Sequence, residues 1–218
     1  MNTLHATQLP RLLTAALSLM LLSACGSLPT AATPHTVFYA LEGTAGAAPA
    51  TVAVGDPAAA PTLLVNPTHA AAGFDSPRIV YVRETHKLEY FAHSEWVDPP
   101  ERMLAPLLVA ALSRSGAFRA VVLAPSAAAG DLRLDTEIVR LQQEFQSGAS
   151  RVHFTLRAYL VDERARSVLA WREFDAAEAA ASEDPYGGVM AANRAVQTVL
   201  ESLAAFCAEA TRSAPMRK

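Results

Sequence analysis

Between Leu132 and Phe174 the chain alternates apolar and polar residues in successive runs, and this pattern restricts the fold more than any other feature. Leu132, Leu134, Thr136 and Ile138 alternate with Arg133, Asp135 and Glu137, while Val152, Phe154, Leu156, Ala158 and Leu160 alternate with His153, Thr155, Arg157 and Tyr159. A period of two places the two sets on opposite faces of a strand, so each run predicts a strand with one wet face. A third run, Ser167 to Phe174, completes a meander whose turns are Gln146 to Ser150 and Asp162 to Arg166. Connections this short favour antiparallel neighbours.

Upstream, strands are expected at Thr36–Leu41, Thr62–Val65 and Phe118–Leu123, the second stopped by the turn pair Asn66-Pro67. Arg78–Arg83 and Lys87–Ala92 predict a hairpin across Glu84, Thr85 and His86. Asp98-Pro99-Pro100 reads as a helix start with Asp98 as cap, followed by Met103, Leu104, Leu107, Leu108, Ala111 and Leu112 at helical spacing and by Gly116 as terminator. Pro106 removes one backbone bond and predicts a kink near Arg102 to Met103. Val189, Val196, Val199, Leu200, Leu203, Phe206 and Cys207 mark one face of a long C-terminal helix beginning near Pro185. The Ala/Gly/Pro tract Glu42–Pro61 reads as a surface loop with room for a short strand at Thr51–Val54, and the acidic stretch Asp175–Asp184 as a loop or weak helix. The expected architecture is α/β: a single three-layer domain with a mixed, partly antiparallel sheet, a central helix and a long C-terminal helix packed on it.

The N-terminus carries the one long apolar block, Leu12 to Leu22 after Arg11. It is too short for a bilayer, which needs about 20 helical residues, and it matches the core of a signal peptide. Leu22, Ser23, Ala24 and Cys25 follow, and this tetrad resembles the lipobox of bacterial lipoproteins. Its residue types suit the chemistry: the Cys25 sulfur takes a diacylglyceryl group, small residues before it admit a protease, and the freed amine is then acylated. Gly26 occupies the position where Asp retains many lipoproteins at the inner membrane, so an outer-membrane lipoprotein facing the periplasm is expected. Residues 1–24 thus read as signal peptide, 25–36 as lipidated cysteine and tether, 37–211 as the folded domain and 212–218 as a tail. The tether spans at most roughly 35 to 40 Å. Loss of Arg11 with the signal takes the formal net charge from −3 to −4, which argues against nucleic acid as a partner. Cys207, the only other cysteine, falls in an apolar helical stretch and reads as a buried inert thiol.

Catalytic motifs are missing from the sequence: there is no G-x-S-x-G, H-E-x-x-H, P-loop or G-x-G-x-x-G after a strand. His35, His69, His86, His93 and His153 are scattered, and neither a metal nor a cofactor other than the covalent lipid is expected. The distinctive region is Gly73–Leu108, GFDSPRIVYVRETHKLEYFAHSEWVDPPERMLAPLL. Gly73 to Tyr81, Leu88, Tyr90, Trp96, Pro100 to Leu108 and Ser115 to Phe118 resemble the ABC-type transport auxiliary lipoproteins, which accompany MCE-type proteins in bacterial lipid-transport systems. The resemblance implies a non-enzymatic auxiliary component of an ABC/MCE-type transporter moving lipids or other hydrophobic molecules between membranes. It implies an MCE-domain protein and an ABC permease and ATPase as partners, and a homo-oligomeric ring would suit a channel partner. Clustered aromatics often anchor interfaces, which makes Phe74, Asp75, Tyr90, Phe91, His93 and Trp96 the candidate partner-binding residues. Since strand faces alternate, one of Tyr90 and Phe91 must point inward. Two other classes fit the same sequence: a structural lipoprotein of another envelope complex, and a periplasmic hydrolase acting through His93 or Asp75.

Overall fold

The computed structural model describes residues 35–43, 60–145 and 148–213. The described elements fall in the compact unit Thr36–Lys218. In chain order they are β1 (Val37–Tyr39), β2 (Thr62–Val65), β3 (His69–Ala70), β4 (Arg78–Val82), β5 (Glu89–Trp96), α1 (Pro100–Arg114), β6 (Ala120–Leu123), β7 (Leu132–Glu144), β8 (Arg151–Asp162), β9 (Ser167–Ala179) and α2 (Pro185–Ser213). The candidate strand Thr51–Val54, the lipobox and the tether lie outside the described residues.

The alternating runs form the trunk of the sheet. β7 pairs antiparallel with β8 from Leu132↔Asp162 to Glu144↔Arg151, and β8 pairs antiparallel with β9. Along its other edge β7 meets β2, β3 and β4 in turn, all parallel, at Leu63↔Leu132, His69↔Glu137 and Tyr81↔Gln143. Pro67, without an N–H, interrupts this ladder between β2 and β3. Side chains continue it: Asn66 Nδ2 donates to Asp135 Oδ1 at 2.7 Å, and the hydroxyls of Thr68 and Thr136 lie 2.9 Å apart in the interior. From β7 the sheet forks into two arms, β2–β6 and β4–β5–β1, giving nine strands among the described residues.

Both helices pack on one face of this sheet. Leu104, Leu108, Ala111 and Leu112 recur on one side of α1 and are buried against β2, β3 and β6. Val189, Val196, Val199, Leu203 and Cys207 cover β8 and β9, and α2 also touches α1. The class, the mixed sheet and the two helices are those expected. On the opposite face of β7–β9 the polar half of the alternation satisfies itself. Arg157 bridges Glu137 and Glu173 at 2.9 Å each, Arg140 pairs with Asp175 at 2.9 Å, and Arg133 Nε reaches Asp135 at 3.1 Å.

Two local expectations change. Asp98 does not cap α1: Pro99 is the N-cap, without a side-chain bond, and Asp98 lies 3.6 Å from Arg102 instead. Pro100 at the first helical position lacks the N–H that Asp98 would have served nearby. The helix runs through Pro106 and ends at Ser115, whose hydroxyl donates to the Leu112 carbonyl, with Gly116 at φ 67° beyond it. Asp175–Ala179 is strand rather than loop, because β8 is long enough to pair with β9 as far as Arg151↔Ala179 and α2 covers Ala176. Tertiary pairing here overrides the weak strand preference of alanine. At the start of α2, Asp184 accepts bonds from the Gly187 N–H (2.7 Å) and the Ser182 hydroxyl (2.8 Å). These bonds hold its carboxyl below the usual carboxylate range, the Gly187 amide contributing most.

Candidate partner-binding surface

The arm β4–β5 and the loop before it carry the residues singled out from sequence. The loop turns on Gly73, at φ +93°, and the Phe74 N–H donates to the Ala71 carbonyl at 3.0 Å. A Cβ at residue 73 would sit 3.2 Å from Leu88 Cδ1, so the loop is tucked against the tip of the β4–β5 hairpin. His86 at φ 67° makes the hairpin turn, and Lys87 lies between Glu84 (3.6 Å) and Glu89 (3.7 Å).

Of the six candidates, Asp75, Tyr90 and His93 are exposed. The Arg78 guanidinium lies 4.9 Å from the Tyr90 ring centre, a cation–π contact that holds the ring on the surface. Phe74 is half-buried against the core. Phe91 takes the inward side of the pair, 4.6 Å from Tyr81 and 6.3 Å from Phe145, with Arg83 5.0 Å over Tyr81. Trp96 is 3% exposed and belongs to the core, its backbone N–H donating to the Pro77 carbonyl at 2.7 Å. It is therefore removed from the contact surface. β5 extends to Trp96 instead of ending at Ala92, and its period of two, set by Ser94 and Trp96 as buried positions, turns the indole inward.

The structure also exposes apolar groups that the sequence reading passed over. Trp171, 62% exposed, stacks on Tyr159 at 6.2 Å on the charged face of the sheet, with Val168 and Leu169 nearby in the strand. A signal for it existed: Trp171 shares strand parity with Glu173 and Asp175, so an indole sits at a position the pattern reserves for water. A second group lies at the edge strand β1, at Val37 and Phe38, with Val97, Tyr186 and Met190 also exposed.

Electrostatically the charged face is locked. The Thr155 hydroxyl, and after it Arg140, hold the Asp175 carboxyl below its usual range. His153 Nε2 lies 3.5 Å from Glu144, which Arg140 approaches at 3.7 Å. Among the described residues no group of three or more His, Cys, Asp or Glu could hold a metal ion, and no helix is long and apolar enough to cross a membrane. The cavities are small: about 20 Å³ between Leu107 of α1 and Leu200 of α2, and about 10 Å³ beside Trp96, Gln143 and Gly188. Spaces of this size hold about one water.

A family model described as the ABC-type transport auxiliary lipoprotein component matches residues 39–204. No curated protein matches the chain. Among solved structures, protein XCC0632 from Xanthomonas campestris, a DUF330 protein, is 24% identical, with a TM-score of 0.70 over 81% of this chain and 97% of that one. An uncharacterized protein is 14% identical, with a TM-score of 0.62 over 79% of this chain and 99% of the other. At these identities the likeness is one of fold.

Proposed function

The chain belongs to the ABC-type transport auxiliary lipoprotein family, and from that premise we propose that it serves an ABC/MCE-type system moving lipids or other hydrophobic molecules between membranes. Its role is non-enzymatic: Cys25, acylated after cleavage behind Leu22-Ser23-Ala24, holds the domain at the outer membrane facing the periplasm. The domain presents a surface to an MCE-domain protein working with an ABC permease and ATPase. The observation that carries this reading is the family match over residues 39–204, from the end of β1 through most of α2, on a chain whose N-terminal segment also resembles a lipobox.

Phe74, Asp75, Tyr90, Phe91 and His93 form the contact surface in this reading, with Tyr90 and its Arg78 partner at the centre. An exposed aromatic held by a guanidinium pairs low ordering cost with large contact area. The test is a pull-down of the native lipoprotein from detergent-solubilised envelopes. Co-purification of an MCE-domain protein with permease and ATPase is expected, and it weakens in Tyr90→Ala with Asp75→Ala. Recovery of a different envelope complex would overturn the transport role in favour of a structural one. Intact mass of the mature chain checks the lipid: an unmodified Cys25 would remove the anchor from the scheme.

A further inference from the structure

We propose that Trp171–Asp175 of β9 is a docking edge for an extended segment of a partner protein that carries basic residues at alternate positions. This surface is separate from the one assigned above and independent of which transporter the chain serves. β9 pairs only with β8, so among the described residues its other side is an edge of the sheet. Register decides which backbone groups face that edge. The Ala180 N–H donates to the Ser150 carbonyl at 2.8 Å, and the same register runs unbroken to Leu160↔Ala170. The even-numbered residues from Ala170 to Glu178 therefore exchange their bonds with β8, while Trp171, Glu173, Asp175, Ala177 and Ala179 turn N–H and C=O away from it. Two arginines agree with this parity and close one end of the edge. Arg151 Nη2 donates to the Ala177 carbonyl at 3.0 Å, and Arg194 Nη2 to the Ala179 carbonyl at 2.7 Å. Plugged there, the edge stays open among the described residues at Trp171, Glu173 and Asp175.

The side chains of these three residues select the occupant. The side chains of Glu173 and Asp175 are 44% and 52% exposed. Arg157 holds Glu173 through Oε2, and Thr155 and Arg140 hold Asp175 through Oδ1, so Oε1 of the one and Oδ2 of the other face an incoming cation. The exposed Trp171 ring adds a surface on which a further cation can rest. On the opposite face of the strand, Arg172 lies 4.7 Å from the Phe206 ring, and Phe174 and Ala176 are buried. A second positive charge is unfavourable beside Arg172, and an apolar residue suits that side. An added strand thus needs basic residues in one alternate set and apolar ones in the other, with main-chain bonds to β9 supplying affinity. A second copy is a poor complement. The twofold antiparallel register that uses all three open residues of both copies sets Glu173 against Glu173.

The test uses the mature chain from Cys25, unacylated and under reductant. The probe is a short blocked peptide alternating lysine and valine, and the control is a peptide of the same length alternating glutamate and valine. Amide hydrogen exchange is read residue by residue by NMR. In the free chain the Trp171, Glu173 and Asp175 amides should exchange fast, and those of Arg172 and Phe174 slowly. The lysine/valine peptide at millimolar concentration is expected to slow the first three by about tenfold and to leave Ala177 and Ala179 unchanged, whereas the control slows none of them. Glu173→Pro removes an N–H that β8 does not use, so the strand should stay folded by circular dichroism while the protection vanishes. Arg151→Ala with Arg194→Ala unplugs the end of the edge and is expected to extend protection to Ala177 and Ala179, a result that does not depend on the proline variant folding. The proposal is overturned by unchanged exchange at the three amides, by equal protection from the glutamate/valine peptide, or by protection that stops at Asp175 in the unplugged variant. Protection in the concentrated chain without peptide would assign the edge to a second copy and overturn it as well.

Discussion

The close approach of α2 to β7 makes Gly188→Ala a sharp test of the packing. A Cβ at residue 188 would lie 2.1 Å from Gln143 Oε1 and 2.8 Å from its Cδ, distances that real Cβ atoms do not tolerate. Gln143 is 2% exposed, and its Nε2 donates to the Ser150 hydroxyl at 3.0 Å in a site that is itself buried. The amide cannot swing aside freely, because only about 10 Å³ is open beside it, among Ile79, Trp96 and Val152. Forcing a methyl into such a site costs about 1–3 kcal/mol, and breaking the bond to Ser150 adds about 1 kcal/mol. Against this, alanine in a helix is worth up to about 1 kcal/mol over glycine. The net expectation is a destabilisation of roughly 1–3 kcal/mol, or several degrees in Tm for a chain of this size. Urea denaturation followed by circular dichroism measures it. In a Gln143→Ala background the obstruction is gone, so the same Gly188→Ala change should become neutral or mildly stabilising. This reversal of sign is the decisive outcome: equal effects of Gly188→Ala in both backgrounds would refute the packing argument.

Three further outcomes are expected. Trp96→Ala should cost about 3–5 kcal/mol as a core truncation, whereas Tyr90→Ala should stay within about 1 kcal/mol by thermal denaturation, separating core from contact aromatics. The Asp184 carboxyl is held low in the folded state, so its contribution is complete above its unfolded value, near pH 4, and is lost as pH falls through the folded one; Asp184→Asn should flatten that acid step in a pH series of melts. Burial pushes the Cys207 thiol up to about 12, so iodoacetamide at pH 8 should leave it unmodified in the native protein and label it in denaturant.

Elements with a strong period were legible in the chain. Leu132–Ile138 and Val152–Leu160 announce strands with one wet face, and the spacing from Met103 to Leu112 announces α1, because each states its own geometry within a few residues. His69–Ala70 was not legible: two residues carry no period, and β3 exists because β7 offers unpaired groups beside it. The surface was only half legible for the same reason. The aromatic content of Gly73–Leu108 marked a region, but which rings face water depends on pairing register and on what covers each face. Tyr90 stays outside over Arg78, Phe91 turns to Tyr81 and Phe145, and Trp96 enters the core.

By itself the sequence determined the α/β class, the antiparallel trunk, the positions of the two helices and the family resemblance, since each rests on short-range period or local motif. Only the tertiary structure decided that both helices share one face and that β7 carries three parallel partners along one edge. Those features depend on contacts between residues far apart in the chain, such as Tyr39 with Tyr186 and Gln143 with Gly188, and no local pattern encodes them.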